Sequence, residues 1–156
     1  MPEWLMSFLK SSLPSLLVGV MTALISVRLS LRRFHAERWW ERKAEAYSRI
    51  IEALHNAMEY CEARSDESLT RVELSEERKQ QLEQDYRQAA RELRKATAVG
   101  AYIIAPRVAD VLARLHSRPE LDWEQTPTFE FYDHEYEGYK SALSEIRELA
   151  KKDLGV

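Results

Sequence analysis

Arg49 and His55 are the residues best suited to acid–base and phosphate chemistry, because an imidazole titrates near neutrality and a guanidinium stabilises phosphate charge. Six residues along a helix turn the second side chain about 240° from the first. Within one unbroken helix the two therefore do not converge, and a composite site needs a partner chain or a helix break. Glu52-x-x-His55, with Glu59 one turn further, places carboxylates and an imidazole on one helix face, the arrangement from which four-helix bundles build two-iron sites. Such a site requires a second Glu-x-x-His, yet His116 and His134 have Ala113 and Phe131 at that position. Glu130 and Glu137 flank His134 at helical spacing and offer only an incidental ligand set. There is no phosphate loop, nucleophile elbow, paired zinc ligands or dinucleotide fingerprint, so no metal, cofactor or catalytic residue is expected outside the Arg49–His55 alternative.

A second concentration of chemistry lies between Pro119 and Tyr139, where Glu120, Asp122, Glu124, Glu130, Asp133, Glu135 and Glu137 occur without Lys or Arg. Aromatic residues are interleaved among them. Trp123, Tyr132, Asp133, Glu135 and Tyr136 form the expected partner-binding set, since aromatic anchors rimmed by carboxylates suit a basic protein partner or a neighbouring subunit's basic segment. The competing reading assigns the aromatics, which fall at core spacing, to the interior and the acids to a solvated face.

These groups must be positioned by something, and the chain opens on an apolar run from Ser11 to Val27 between Lys10 and Arg28. About 17 residues give roughly 25 Å of helix, a short but admissible bilayer span. Arg28 snorkels in this reading, and Trp4 and Phe8 suit the opposite interface. Arg28, Arg32, Arg33, Arg38, Arg42 and Lys43 outweigh Glu37 and Glu41, which by the positive-inside rule puts the carboxyl-terminal side in the cytoplasm and the amino terminus outside. A cleaved signal peptide is disfavoured because Val27-Arg28-Leu29-Ser30 has no small-x-small site. The single Cys61 gives no sign of an oxidising compartment. Ser12, Ser15, Gly19, Thr22 and Ser26 recur at three- and four-residue steps along one helix face, a small and hydroxylated seam suited to self-association in lipid. Arg28, Arg32, Arg33, Trp39 and Trp40 are the expected membrane-proximal residues. With ~100° between neighbours, Trp40 joins the interior and Trp39 faces headgroups or a partner.

Residues 1–33 hold four of the 23 basic and one of the 26 acidic residues, which leaves the body, residues 34–156, at −6. An acidic body without a basic stripe argues against nucleic acid as the main ligand. From Arg32 to Arg64 there is no Pro or Gly, and Trp40, Ala44, Tyr47, Ile51, Leu54, Met58 and Cys61 keep four-three spacing, which predicts a long helix running on from the anchor. Ser65–Ser75 reads as a loop, with Ser75 capping a second helix that carries Leu82, Tyr86, Ala89, Leu93, Ala96, Gly100 and Ile103 and stops before Pro106. Pro106 opens a short third helix with Val108, Val111, Leu112 and Leu115 inward. Thr126-Pro127 then starts a fourth, carrying Phe129, Tyr132, Tyr136, Tyr139, Leu143, Ile146 and Ala150. The expected fold is all-α: one transmembrane helix continuing into an antiparallel bundle of three long helices and one short.

The segment Arg38-Trp39-Trp40-Glu41-Arg42-Lys43-Ala44-Glu45-Ala46-Tyr47, with Leu149-Ala150-Lys151-Lys152-Asp153-Leu154, resembles a family of small bacterial proteins with an amino-terminal membrane helix and a helical body. The resemblance implies an inner-membrane location and carries no activity. In plan the chain is also similar to small membrane effectors of antiviral defence, including a CRISPR-associated pore with a HEPN-like body, an analogy of architecture alone. The Arg-x5-His spacing is one that HEPN ribonucleases can show. The expectation is a self-associating, membrane-anchored protein in contact with lipid, acting by assembly or partner binding, in a specific version as a membrane-perturbing defence or stress effector. The alternative is a membrane-tethered HEPN-like ribonuclease.

Overall fold

The computed structural model describes the backbone at 3–70, 72–99, 102–119 and 121–156, and the side chains of these residues other than 3–20, 31–33, 36 and 99. The chain is all-α, with no strand among the described residues. Helix α1 spans Glu3–Thr70, α2 Glu76–Val99, α3 Pro106–His116 and α4 Thr128–Leu154. The chain divides into two compact units, Met1–Glu41 and Arg42–Val156.

In the second unit the helices run up-down-up-down. Glu59 on α1 meets Arg78 on α2. Tyr47, His55 and Ser65 on α1 meet Asp153, Arg147 and Asp133 on α4, a descending order that makes those two helices antiparallel. Arg114 bonds Glu145 while Arg118 bonds the His134 carbonyl, so α3 and α4 are antiparallel too. Val108, Val111 and Leu112 of α3 close the core over Tyr47, Ile50, Leu54, Leu93, Leu143 and Ile146.

Local chemistry explains most helix ends. Ser75 Oγ accepts the Arg78 N–H at 3.3 Å, the expected cap, and Glu76 and Glu77 follow in the positive first turn. Pro106 occupies the first turn of α3, where it forfeits no helix hydrogen bond. Gly155 takes φ 73°, the left-handed conformation that ends α4, and its N–H bonds the Lys151 carbonyl at 3.0 Å.

Four local expectations are corrected. Ser65–Thr70 is helical rather than loop, because Ser65 is buried and donates to Asp133 at 2.7 Å, and Glu67 accepts from Lys79 at 3.0 Å and the Leu74 N–H at 3.3 Å. Helix α2 ends at Val99 rather than just before Pro106, and Ile104 is buried from the connection instead; Gly100 lies outside the described residues. Pro127, not Thr126, stands at the cap of α4, with its carbonyl accepting the Phe131 N–H at 3.1 Å. Trp40 does not join the core: it is 48% exposed and its neighbour Trp39 49%. The interior face of α1 is also broader than a four-three seam, taking Ile50, Ala53 and Ala57 besides Tyr47, Leu54 and Cys61, because α1 is packed by helices on two sides.

Among the described residues no helix is long and apolar enough to cross a membrane. The Ser11–Val27 span falls on them only in part, and the side chains of Ser12, Ser15, Gly19, Arg32 and Arg33 lie outside them.

Candidate functional site

The first feature is on α1 itself. Met21, Leu24, Ile25, Val27 and Leu29 are 54–61% exposed, and Phe34, Trp39 and Trp40 follow them in the same state. At 100° per residue the first five cover roughly 200° of the helix circumference, about twice the stripe of an amphipathic helix on a protein core. Thr22, Ser26 and Arg28 are exposed on the same segment. Arg38 lies over the Phe34 ring at 4.9 Å, placing a cation among the aromatic side chains just beyond the apolar stretch.

The second feature is a polar clamp at the opening of the bundle. The Tyr47 hydroxyl donates to Asp153 Oδ2 at 2.7 Å and accepts the Ala105 N–H at 3.1 Å, while Lys43 Nζ donates to Asp153 Oδ1 at 3.0 Å. One buried phenol thus joins α1, α4 and the start of α3. Burial pushes the Tyr47 hydroxyl up to about 12, against the pull of the Ala105 N–H. Burial also raises the Asp153 carboxyl, but the Tyr47 hydroxyl and the Lys43 ammonium outweigh it and hold the acid below the ordinary carboxylate range. A carboxyl depressed in the folded state stabilises it above the unfolded pKa, and that contribution is lost as pH falls through the folded value. Tyr47→Phe leaves the Ala105 N–H and an Asp153 oxygen short of a partner, with an expected loss of about 1–3 kcal/mol. Denaturant unfolding at several pH values checks both points: Asp153→Asn flattens the acid side of the stability profile.

Arg49 and His55 do not meet. Arg49 pairs with Glu45 at 2.5 Å and, with Ile50, Glu92 and Ala96, lines a small apolar pocket of about 130 Å3 towards α2. His55 lies towards α4, where its Nε2 accepts from Arg147 Nη2 at 2.7 Å. No group of three potential metal ligands is gathered among the described residues, and Glu52 and Glu59 do not close on His55; Glu59 is bound to Arg78.

The aromatic residues of the acidic segment pack partly against the molecule, while Asp122, Trp123, Glu124, Glu130, Asp133 and Glu137 stay exposed. Tyr132 is buried, with the Tyr60 and Trp123 rings both 5.9 Å away and the Arg64 guanidinium 5.8 Å from its centroid. Asp133 accepts the Ser65 hydroxyl, Glu135 faces Arg118 at 3.6 Å, and Tyr136 is half-buried beneath Lys140. Trp123 remains half-exposed, edge-on to Phe131 at 4.9 Å. Of the five residues expected to bind a partner, Trp123 and Asp133 are exposed, and Tyr132 belongs to the interior.

Beneath this segment lies an arrangement that sequence reasoning missed. Arg118 crosses α4 at Gly138, donating from Nη2 to the His134 carbonyl at 2.7 Å. A Cβ on Gly138 would stand 0.9 Å from Arg118 Nη1, so the absence of a side chain is what admits the guanidinium. Tyr60 stacks on Tyr86 at 4.5 Å, the Tyr86 and Tyr139 hydroxyls are 3.3 Å apart, and buried Cys61 sits among them with burial pushing its thiol up to about 12, an inert setting. Gly138→Ala gains about 1 kcal/mol of helix propensity but displaces Arg118 from a charged hydrogen bond worth about 1.5–3 kcal/mol. The substitution is therefore destabilising in the native chain and stabilising in an Arg118→Ala background, a reversal of sign that a four-member set of thermal melts detects.

Comparison with known protein families, curated proteins and solved structures returns no match.

Proposed function

We propose that this is a single-pass protein of the bacterial inner membrane, amino terminus outside and helical body in the cytoplasm, that acts by self-association. The observation that carries the reading is the exposed apolar belt from Met21 to Leu29, which water hydrates at a cost of roughly 25 cal/mol for each Å2 of apolar surface and lipid does not. Arg28, Trp39 and Trp40 supply cation and aromatic groups suited to the cytoplasmic headgroups. A membrane-perturbing effector, triggered by clustering of short hydroxyl-lined anchors, is the specific form of this reading.

Alkaline carbonate extraction of bacterial membranes tests the anchor: the protein is expected in the pellet, and recovery in the supernatant overturns it. Mass measurement in detergent tests assembly. Gly19→Leu adds bulk without polarity to the small-residue seam, so the wild type is expected as an oligomer and the variant as a monomer. Equal masses remove the seam from the account. The ribonuclease alternative draws no support from a single chain, because Arg49 and His55 face different neighbouring helices.

A further inference from the structure

The groove between α1 and α4 at His55 carries an assignment argued from its own side chains, of which only the lipid-headgroup arm rests on the membrane reading. Its volume is about 440 Å3, and its lining includes His55, Tyr136, Lys140, Ser144, Arg147 and Lys151, with one carboxylate, Glu148, paired to Lys151. Cross-helix arginines elsewhere in the bundle have carboxylates opposite them: Arg114 holds both oxygens of Glu145 at 2.8 Å, Arg78 holds Glu59, and Arg118 faces Glu135. Arg147 is set against an imidazole nitrogen instead. Because a guanidinium only donates, His55 Nε2 is the acceptor in this contact, which gives the cation no neutralising oxygen.

Two more cations stand on the same wall. Lys140 and Lys151 are held by Glu137 at 2.8 Å and Glu148 at 2.9 Å, both exposed pairs within one helix turn. Pairs of that kind are weak and readily redirected. Ser144 lies between them in sequence and adds a hydroxyl donor. A planar guanidinium, two ammonium groups, an imidazole and a hydroxyl around one groove match the tetrahedral oxygens and double charge of a phosphate group.

We infer that the His55–Arg147 groove binds a phosphate dianion, either free or as a lipid phosphomonoester headgroup, with Arg147 as the principal contact. The test uses the full chain in phosphatidylcholine bilayers, with the His55 ring resonances, assigned through His55→Gln, as reporter. Inorganic phosphate is titrated at constant ionic strength against chloride, and a parallel sample contains phosphatidate. A saturable shift with inorganic phosphate identifies a free anion. A shift with phosphatidate that added phosphate reverses identifies the headgroup. In either case Arg147→Gln weakens binding about tenfold or more, Lys140→Gln with Lys151→Gln weakens it further, and Arg114→Gln, outside the groove, leaves it unchanged. Absence of any saturable shift in both samples overturns the assignment, as does equal affinity in Arg147→Gln.

Discussion

If the proposed anchor holds the protein in the bilayer, Met21→Asp combined with Leu24→Asp is expected to release it from membranes while leaving the bundle folded. At the centre of a bilayer-spanning helix an Asp costs about 2.5–3.5 kcal/mol, and the apolar residue it replaces contributes about 0.5 kcal/mol in the other direction. The cost falls towards the helix end. Two substitutions on the inner half of the Ser11–Val27 run therefore remove about 4 kcal/mol or more, enough to reverse insertion of a span already at the short limit. Met21 and Leu24 are exposed and make no contribution to the core around Leu54 and Ile146, so thermal unfolding of the bundle is unchanged. Membrane fractionation and circular dichroism of the same samples check the two halves of the prediction. A doubly substituted protein that still pellets with membranes is incompatible with an anchor on this segment.

Ile146→Ala has the largest effect expected inside the bundle. Its side chain has 0% exposure and lies in the core with Leu54, Val108, Leu112 and Leu143, so truncation leaves a cavity that the surrounding side chains can only partly fill. The expected loss is about 2–5 kcal/mol, a large share of the 5–15 kcal/mol that holds a domain together. The melting temperature of the bundle falls by on the order of 10 °C. Adjacent isoleucines on α1 supply a sharper comparison. Ile50 is 3% exposed and Ile51 half-buried, so Ile50→Ala costs more than Ile51→Ala, measured by chemical denaturation of the two variants.

That pair also shows where periodicity stops being informative. A four-three count selects Ile51, because it assumes one packing partner and one narrow seam. Helix α1 meets α2 on one flank and α4 on another, and this double packing widens its buried face to Ile50, Ala53 and Ala57, the first two lining pockets shared with α2. Trp40 fails for a related reason. Counting places it on the seam, yet the tryptophan is 48% exposed and belongs to the first compact unit, Met1–Glu41, rather than to the bundle. Two helix starts governed by local groups were legible, since Ser75 caps one and Pro106 opens another. Ends governed by remote groups were not, as Ser65 shows by staying helical on the strength of Asp133 in another helix.

The candidate sites divide along the same line. Turn angle alone separates Arg49 from His55, since both belong to one helix whose geometry is uniform, and the fold keeps them on different flanks. Composition alone marks the apolar run, the basic cluster after it and the acidic body, because these are sums over local residues. No spacing rule pairs His55 with Arg147, Tyr47 with Asp153, or Arg118 with the space above Gly138. Those partners are tens of residues apart or on different helices, and only the packing of apolar faces, which sets each helix's rotation and register against its neighbours, brings them within bonding distance.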